Sequence, residues 1–424
     1  MDKQITQIVS VYKDRYYTSQ KALNWDAWVN DYKTRIEIQK PIIHQDTLQG
    51  TEIQAVLDGL KEPSYQEAAT TAFISDYLLS RGFILKGDGA SVRSYETELV
   101  FTTDNQEPDL YCRVDLDAVS IGDKQYLHSC GHSTNMSGVL TAVTKTKINS
   151  LNVGIIFQPA EEGPGNPIDG YVQSEGLGGG QYLRRKGVYE KIPALISCHI
   201  DTSLKDDEVR ISKDAATAAA YRFTFRAIGK PAHAALPWQG ENPLDKVNQF
   251  LTELKSVFVD LPQNEYGLVT ASKVNTAECE LNSLSPWAEV RGISRNIGPN
   301  SLKLFEKFMQ TWDARIELEA PPVINDAELA EIATTVALEN KLKVITEPAK
   351  FRDETAWAGP LSKPWVKNPD TYKSGCSMIL HFFTAAYNAE TGGLHSNSFN
   401  PNSEKAINAQ VQMIYGIILK YSSR

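Results

Sequence analysis

Several features are missing from this chain, and each absence removes a class of protein. No apolar run is long enough to span a bilayer, so a soluble protein is expected. Clustered positive charge is missing as well. The 43 Lys and Arg against 52 Asp and Glu leave a formal net charge of -9, which disfavours attraction to phosphate backbones or anionic membranes. Neither nucleic acid nor a membrane is an expected partner. Residues 1–30 alternate charged with apolar positions and lack the unbroken apolar core of a secretory signal, so the expected location is the cytoplasm. Disulfide spacing is lacking too: the five cysteines, Cys112, Cys130, Cys198, Cys279 and Cys376, are odd in number and form no framework. Free thiols or a metal thiolate fit better.

What is present is an ordinary folded composition, 42% hydrophobic and 22% charged, which argues against disorder. At 424 residues the chain is too long for one compact core and divides more naturally into two or three domains. QEAATTAFISDYLLSRG, residues 66–82, places Ala72, Ile74, Leu78 and Leu79 at helical spacing before Gly82. DLYCRVDLDAV then alternates as a strand, with Leu110, Cys112, Val114 and Leu116 on one face and Arg113, Asp115 and Asp117 on the other. Met136, Val139, Leu140 and Val143 form a helical stripe with Ser133 or Thr134 as N-cap, so LHSCGHSTN (127–135) sits at a strand-to-helix junction. VGIIF (153–157) reads as a buried parallel strand ending at QPAEEGPG, and ALIS (194–197) ends at CHID. Sites in open α/β sheets gather at such carboxyl ends.

Around residue 213 the style changes. YRFTFRA alternates strictly, the helix-like PLDKVNQFLTELKSVF follows, and GLVTASKV, AEVRGISR and a helix carrying Leu304, Phe305, Phe308 and Met309 complete a β-α-β-β-α order. This predicts a small α+β unit with an antiparallel sheet at 213–320, inserted into a larger domain made of 1–212 and 321–424 and ending in an amphipathic helix over 403–420. GLVTASKV is an exposed-edge strand candidate.

Paired borderline metals need about five N, S and O ligands, and the candidates are Cys130, His132, Glu162, His199 and His395. Each has a plainer reading. Cys-Gly-His recurs by chance, His199 fits a satisfied structural histidine, His395 an exposed loop histidine, and Glu161 with Glu162 a solvated loop.

The joint order carries more than any single residue. R-x-D-x-D-A (113–118), C-G-H (130–132), F-Q-P-A-E-E-G-P-G (157–165), His199, G-K-P-A-H-A-A-x-P (229–237) and L-H-S (394–396) resemble the M20 metallopeptidases, in particular their amidohydrolase branch, from about residue 60 to the end of the chain. That resemblance implies an α/β, zinc-peptidase-like catalytic domain carrying an inserted ferredoxin-like α+β lid that also forms a homodimer contact. It implies a hydrolase acting on N-acyl amino acids or short peptides with two divalent metal ions, zinc, manganese or cobalt. Cys130 would bridge the ions, with His132, Glu162, His199 and His395 completing the shells. Glu161 would be the general base and His233 the oxyanion donor. Asn282 and Arg291 or Arg295 would meet the substrate, an arginine suiting a carboxylate. Asp115 would support a ligand from behind, with Asp117 equally placed.

Departures accompany the match. The family's C-G-H-D-x-H is C-G-H-S-T-N here, so Ser133 and Asn135 replace an acid and a histidine, which also admits a non-catalytic binding protein of the same fold. A dipeptide-preferring exopeptidase would share the site. S-E-D-F is absent, with KSGCSMILHFF (373–383) roughly in its place, and KEPSYQE replaces the usual L-H-x-x-P-E. The N-terminal sixty residues are additional. His44 and His128 have no implied role, and His381 is expected to be buried.

Overall fold

The computed structural model of the chain describes residues 2–18, 22–45, 47–86, 99–122, 125–163, 178–359, 375–386, 394–396, 399, 401 and 403–424. Four helices come first: α1 (Lys3–Tyr16), α2 (Trp25–Ile38), α3 (Thr51–Leu60) and α4 (Ala68–Leu79). The spacing in α4 predicts one buried stripe, yet every residue of this helix is buried. The reason lies in the N-terminal extension, because α1 and α2 pack over the side that would otherwise face water. Asp76 of α4 anchors them. Its carboxylate accepts from the Tyr12 hydroxyl at 3.0 Å, from Arg35 at 2.9 and 3.0 Å, and from the amides of Ile42 and Ile43 at 2.8 and 3.2 Å. A buried charge so fully bonded is tolerated where an unpaired one would not be.

The strands β1 (Ile84–Lys86), β2 (Leu99–Thr102) and β3 (Leu110–Asp115) follow, then a hairpin of β4 (Val119–Gly122) and β5 (Gln125–Leu127). Next come α5 (His132–Ile148), β6 (Gly154–Gln158), α6 (Gly179–Lys186), β7 (Ala194–Asp201) and β8 (Glu208–Arg210). β3 is buried on both faces, so its polar face is internal and not solvated. Arg113 there bonds Asp115, Asp353 and Thr355 at 2.8, 3.1 and 2.7 Å. α5 starts two or three residues earlier than its sequence signals suggest: Gly131, with φ +95°, is the cap, and Ser133 and Thr134 lie inside the helix.

The chain then builds a separate four-stranded sheet from β9 (Ala219–Ile228), α7 (Pro243–Leu254), β10 (Tyr266–Thr276), β11 (Trp287–Ile297), α8 (Pro299–Thr311) and β12 (Arg315–Ala320). Its strand order is β10-β11-β9-β12, and every pair is antiparallel. The alternation of Tyr221, Phe223 and Phe225 supplies its own core, filled by Phe250, Leu254, Phe305 and Met309 from the two helices. Phe225 and Phe250 stack with ring centroids 4.3 Å apart. Entry and exit run side by side, since Ala215 bridges Ile324 and the Ala216 amide donates to the carbonyl of Val323 at 2.7 Å.

After α9 (Ala327–Glu339), β13 (Lys343–Ile345) and β14 (Met378–Ala385), the helix α10 (Ser403–Ser422) packs on α5. The main sheet has the order β1-β2-β6-β3-β7-β14-β8-β13. Its central strands β6, β3, β7 and β14 are parallel neighbours, so their carboxyl ends share one edge. Among the described residues no helix is long and apolar enough to cross a membrane.

Candidate metal centre

At that edge the loops after β3, β5, β6 and β7 converge. Cys130, His132 and Glu162 each bring a ligand atom within 4.8 Å of the others. The local turn is steep. Gly131 sits between two of these residues in left-handed backbone, and a Cβ there would meet Ile200 Cδ1 at 2.4 Å, so only glycine fits. The His199 ring stands 5.6 Å from that of His132, nearly perpendicular to it. It belongs to β7 itself, which continues past Ser197 to Asp201. His395, also in left-handed backbone at φ +66°, is pinned by its amide to the Ser129 carbonyl at 2.8 Å and puts Nε2 3.2 Å from Glu162 Oε1.

The histidines are prepared as ligands. Nδ1 of His132 lies 2.8 Å from the Asp117 carbonyl and Nδ1 of His199 2.7 Å from the Ile200 carbonyl, so each donates there and leaves Nε2 with the lone pair. Nε2 of His132 is buried and, among the described residues, has no hydrogen-bond partner. A buried lone pair facing a thiol and a carboxylate fits a divalent cation of the N, S and O class.

Asp117 organises the set. Its two carboxylate oxygens accept the amides of Glu161 and Glu162 at 3.0 Å each, Ser64 donates to it at 2.6 Å, and its own carbonyl takes the His132 ring. Ala160, at φ +51°, turns the chain so that both amides face it. Asp115, expected to support a ligand, is engaged by Arg113 instead, because it is still within β3 whereas Asp117 lies just past the strand's end. The two glutamates differ in electrostatics. Burial raises the Glu161 carboxyl to about 7 against the lowering pull of Arg352. Burial would also raise Glu162, but the hydrogen bond with His395 and the positive charge of Arg352 nearby hold it below the usual carboxylate range. One is suited to hold a cation and its neighbour to exchange a proton near neutrality.

These residues open onto a cleft of about 550 Å³ whose wall includes Glu161, Glu162, His199 and His395 together with Arg295, Glu319, Phe351, Arg352 and Asp353. Of the two arginine candidates, Arg295 reaches this wall, while Arg291 pairs with Glu289 at 2.7 Å and is 59% exposed. His233 and Asn282 are brought to each other: His233 bridges Ser283, and the Ala234 amide donates to the Asn282 carbonyl at 2.7 Å. Both are exposed and stand outside the cleft wall.

Sequence reasoning missed Glu319, Arg352 and Asp353. The signal for Arg352 and Asp353 was the charged triplet Arg352, Asp353 and Glu354 between Phe351 and Trp357, whereas Glu319 had none. Among the described residues, the segment that enters the site ahead of His395 is 351–353. Within 373–383, Lys373 and Ser374 lie outside the described residues and the remainder feeds β14, with His381 buried between Ser197 and Asp353. Pro164 and Gly165 of QPAEEGPG also lie outside the described residues. Asn135 points away from the cluster and accepts from Gln410 of α10 at 2.7 Å. His44 is exposed and His128 is buried.

An α/β sheet with a thiol, imidazoles and carboxylates gathered at its carboxyl edge defines a metallohydrolase. Comparison with known proteins agrees. Residues 111–357, more than half of the chain, match the model of peptidase family M20/M25/M40. The N-acetyl-L-cysteine deacetylase of Bacillus subtilis is 26% identical over 68% of this chain and 71% of its own length. The N-acetyldiaminopimelate deacetylase of Listeria monocytogenes is 23% identical over 63% and 73%. The crystal structure of the Bacillus subtilis YXEP protein, a dinuclear metal binding peptidase from the M20 family, superposes with a TM-score of 0.62 at 17% identity, covering 88% of this chain and 97% of that one. The chain belongs to peptidase family M20/M25/M40 and is a metal-dependent amide hydrolase.

Proposed function

We propose that the enzyme cleaves the amide bond of N-acyl amino acids, with Glu161 as general base. The observation that carries this reading is the approach of Cys130, His132 and Glu162 to within 4.8 Å, with Glu162 and the neighbouring Glu161 both lining one cleft. The relatives named as deacetylases of N-acetylated amino acids support the substrate class. Cys130, His132, Glu162, His199 and His395 would hold two divalent ions. Zinc, manganese or cobalt bound there would supply Lewis acidity and an acidified water. Glu161 then takes the water's proton and later hands it to the departing amine. Arg295, in the cleft wall, receives the substrate carboxylate. Asn135, one of the two replacements behind the non-catalytic reading, accepts from Gln410 of α10 and so bears on helix packing.

The sheet β9–β12, with its ferredoxin-like strand order, acts as a lid over the cleft. His233 and Asn282 ride on it, outside the wall in this structure, and His233 reaches the oxyanion once the lid moves. β10 is its outermost strand, with Leu268 41% and Val274 50% exposed, and is the edge through which two copies pair in the cytoplasm. The decisive experiment is Glu161→Gln in enzyme reconstituted with zinc, manganese or cobalt and assayed on N-acetyl amino acids. Turnover should fall at least about 10³-fold with metal content intact. A variant that keeps the parental rate removes Glu161 from the mechanism.

A further inference from the structure

Arg352 stands in the cleft wall and has no part in the chemistry above. Its side chain is 13% exposed and that of Glu161 is 11% exposed. Nη1 donates to Glu161 Oε1 at 2.9 Å, and Nη2 donates to the main-chain carbonyl of the same residue at 3.1 Å. A planar fork that grips the side chain and the backbone of one residue fixes its torsions as well as its charge. The other carboxylate oxygen, Oε2, is 3.9 Å from Nε2 of His132 and so faces the donor cluster. One oxygen is held and the other is presented.

The third edge of the guanidinium looks elsewhere. Nε lies 3.6 Å from Oε1 of Glu319, on β12, the strand by which the chain leaves the inserted sheet. Glu319 also takes Arg222 of β9 at 2.8 Å and Arg295 of β11 at 3.4 Å, so it is tied to three strands of that sheet at once. With Glu354 at 3.7 Å as well, the guanidinium is surrounded by protein acceptors, unlike an arginine kept open for a substrate anion.

We propose that Arg352 is the positioning residue of Glu161, and that its contact with Glu319 makes the orientation of the base depend on the placement of the inserted sheet. This rests on the reading of Glu161 as the base. Misplacing a reacting group by about 1 Å costs on the order of 10²-fold. In zinc-loaded full-length enzyme acting on N-acetyl amino acids, Arg352→Met should therefore lower kcat about 10²-fold, with KM within about threefold and both metals retained. Arg352→Lys keeps the buried charge but cannot hold side chain and carbonyl together, and should lose about tenfold in kcat. Glu319→Gln should cost less than Arg352→Met, and nothing further in the Arg352→Met background, the sign of a shared pathway. A crystal structure of zinc-loaded Arg352→Lys should show the Glu161 carboxylate turned from its present orientation.

Three results overturn the proposal: an unchanged kcat in both arginine variants, a loss confined to KM, or strictly additive effects of Arg352 and Glu319. Glu161→Gln separates the layers. If it is inactive while the arginine variants are normal, only the positioning role fails. If it is active, the base assignment fails and takes this inference with it.

Discussion

Asp117→Asn is the most discriminating single change, because it alters one atom of a side chain that touches nearly the whole site. The carboxylate receives the Glu161 and Glu162 amides at 3.0 Å each, one on each oxygen. An asparagine keeps one acceptor and turns an NH2 towards the other amide. One charge-assisted hydrogen bond is lost, and the survivor becomes neutral. Hydrogen bonds to charged groups are worth about 1.5–3 kcal/mol and neutral ones about 1. The turn carrying Glu162 should thus lose about 2 kcal/mol of support. Since about 1.4 kcal/mol is tenfold in an equilibrium constant, zinc affinity should fall roughly 10–100-fold if most of that loss is felt in the bound state. Competition against a chromogenic zinc chelator measures it directly. Asp115→Asn is the control: it disturbs the buried partner of Arg113 and should lower the melting temperature while changing zinc affinity much less. The reasoning fails if folded Asp117→Asn binds zinc within about twofold of the parent, or if Asp115→Asn is the variant that loses metal.

Three further outcomes are expected. Burial, opposed by Arg352, raises the Glu354 carboxyl to about 8, above the usual 4.5 of the unfolded chain. The folded state therefore binds the extra proton, and its contribution to stability is complete below about 4.5 and lost as pH rises through about 8. In metal-free protein the melting-temperature advantage over Glu354→Gln should shrink from pH 5 to pH 8.5; a difference that is flat or grows with pH contradicts this. His233→Ala should lower kcat roughly 10²–10³-fold without loss of metal, whereas His395→Ala should lose metal and activity together. Metal release from the His233 variant, or a kcat within about twofold, returns His233 to the status of an exposed turn residue. Light scattering should find a dimer at micromolar concentration that Val274→Glu on the exposed edge of β10 dissociates; a monomeric parent removes the pairing.

Local signals in the sequence were enough for the elements and for the chemistry of most candidate residues. Strict alternation in YRFTFRA, helical spacing in PLDKVNQFLTELKSVF and apolar runs that stop at polar clusters correspond to β9, α7 and the strands ending at the site. They are legible because period and burial are properties of neighbouring residues. Cys130, His132 and Glu162 were legible for another reason: each alone has a plainer reading, and only their joint order with the other motifs, which resembles the M20 metallopeptidases, marked them.

Tertiary structure decided what depends on residues far apart in the chain. Asp115 and Asp117 are two positions apart on one alternating face, and only the strand's end at Asp115 and the approach of the Glu161 turn separate an Arg113 partner from the carboxylate that braces the site. The burial of α4 on all sides follows from helices that begin more than forty residues earlier, which its own periodicity cannot report. Arg352 and Glu319 sit in unremarkable charged stretches, and their meeting with Glu161 arises only where the inserted sheet rejoins the main one. Charge pairing acts through space, so it leaves no periodic trace in sequence, whereas strand and helix do.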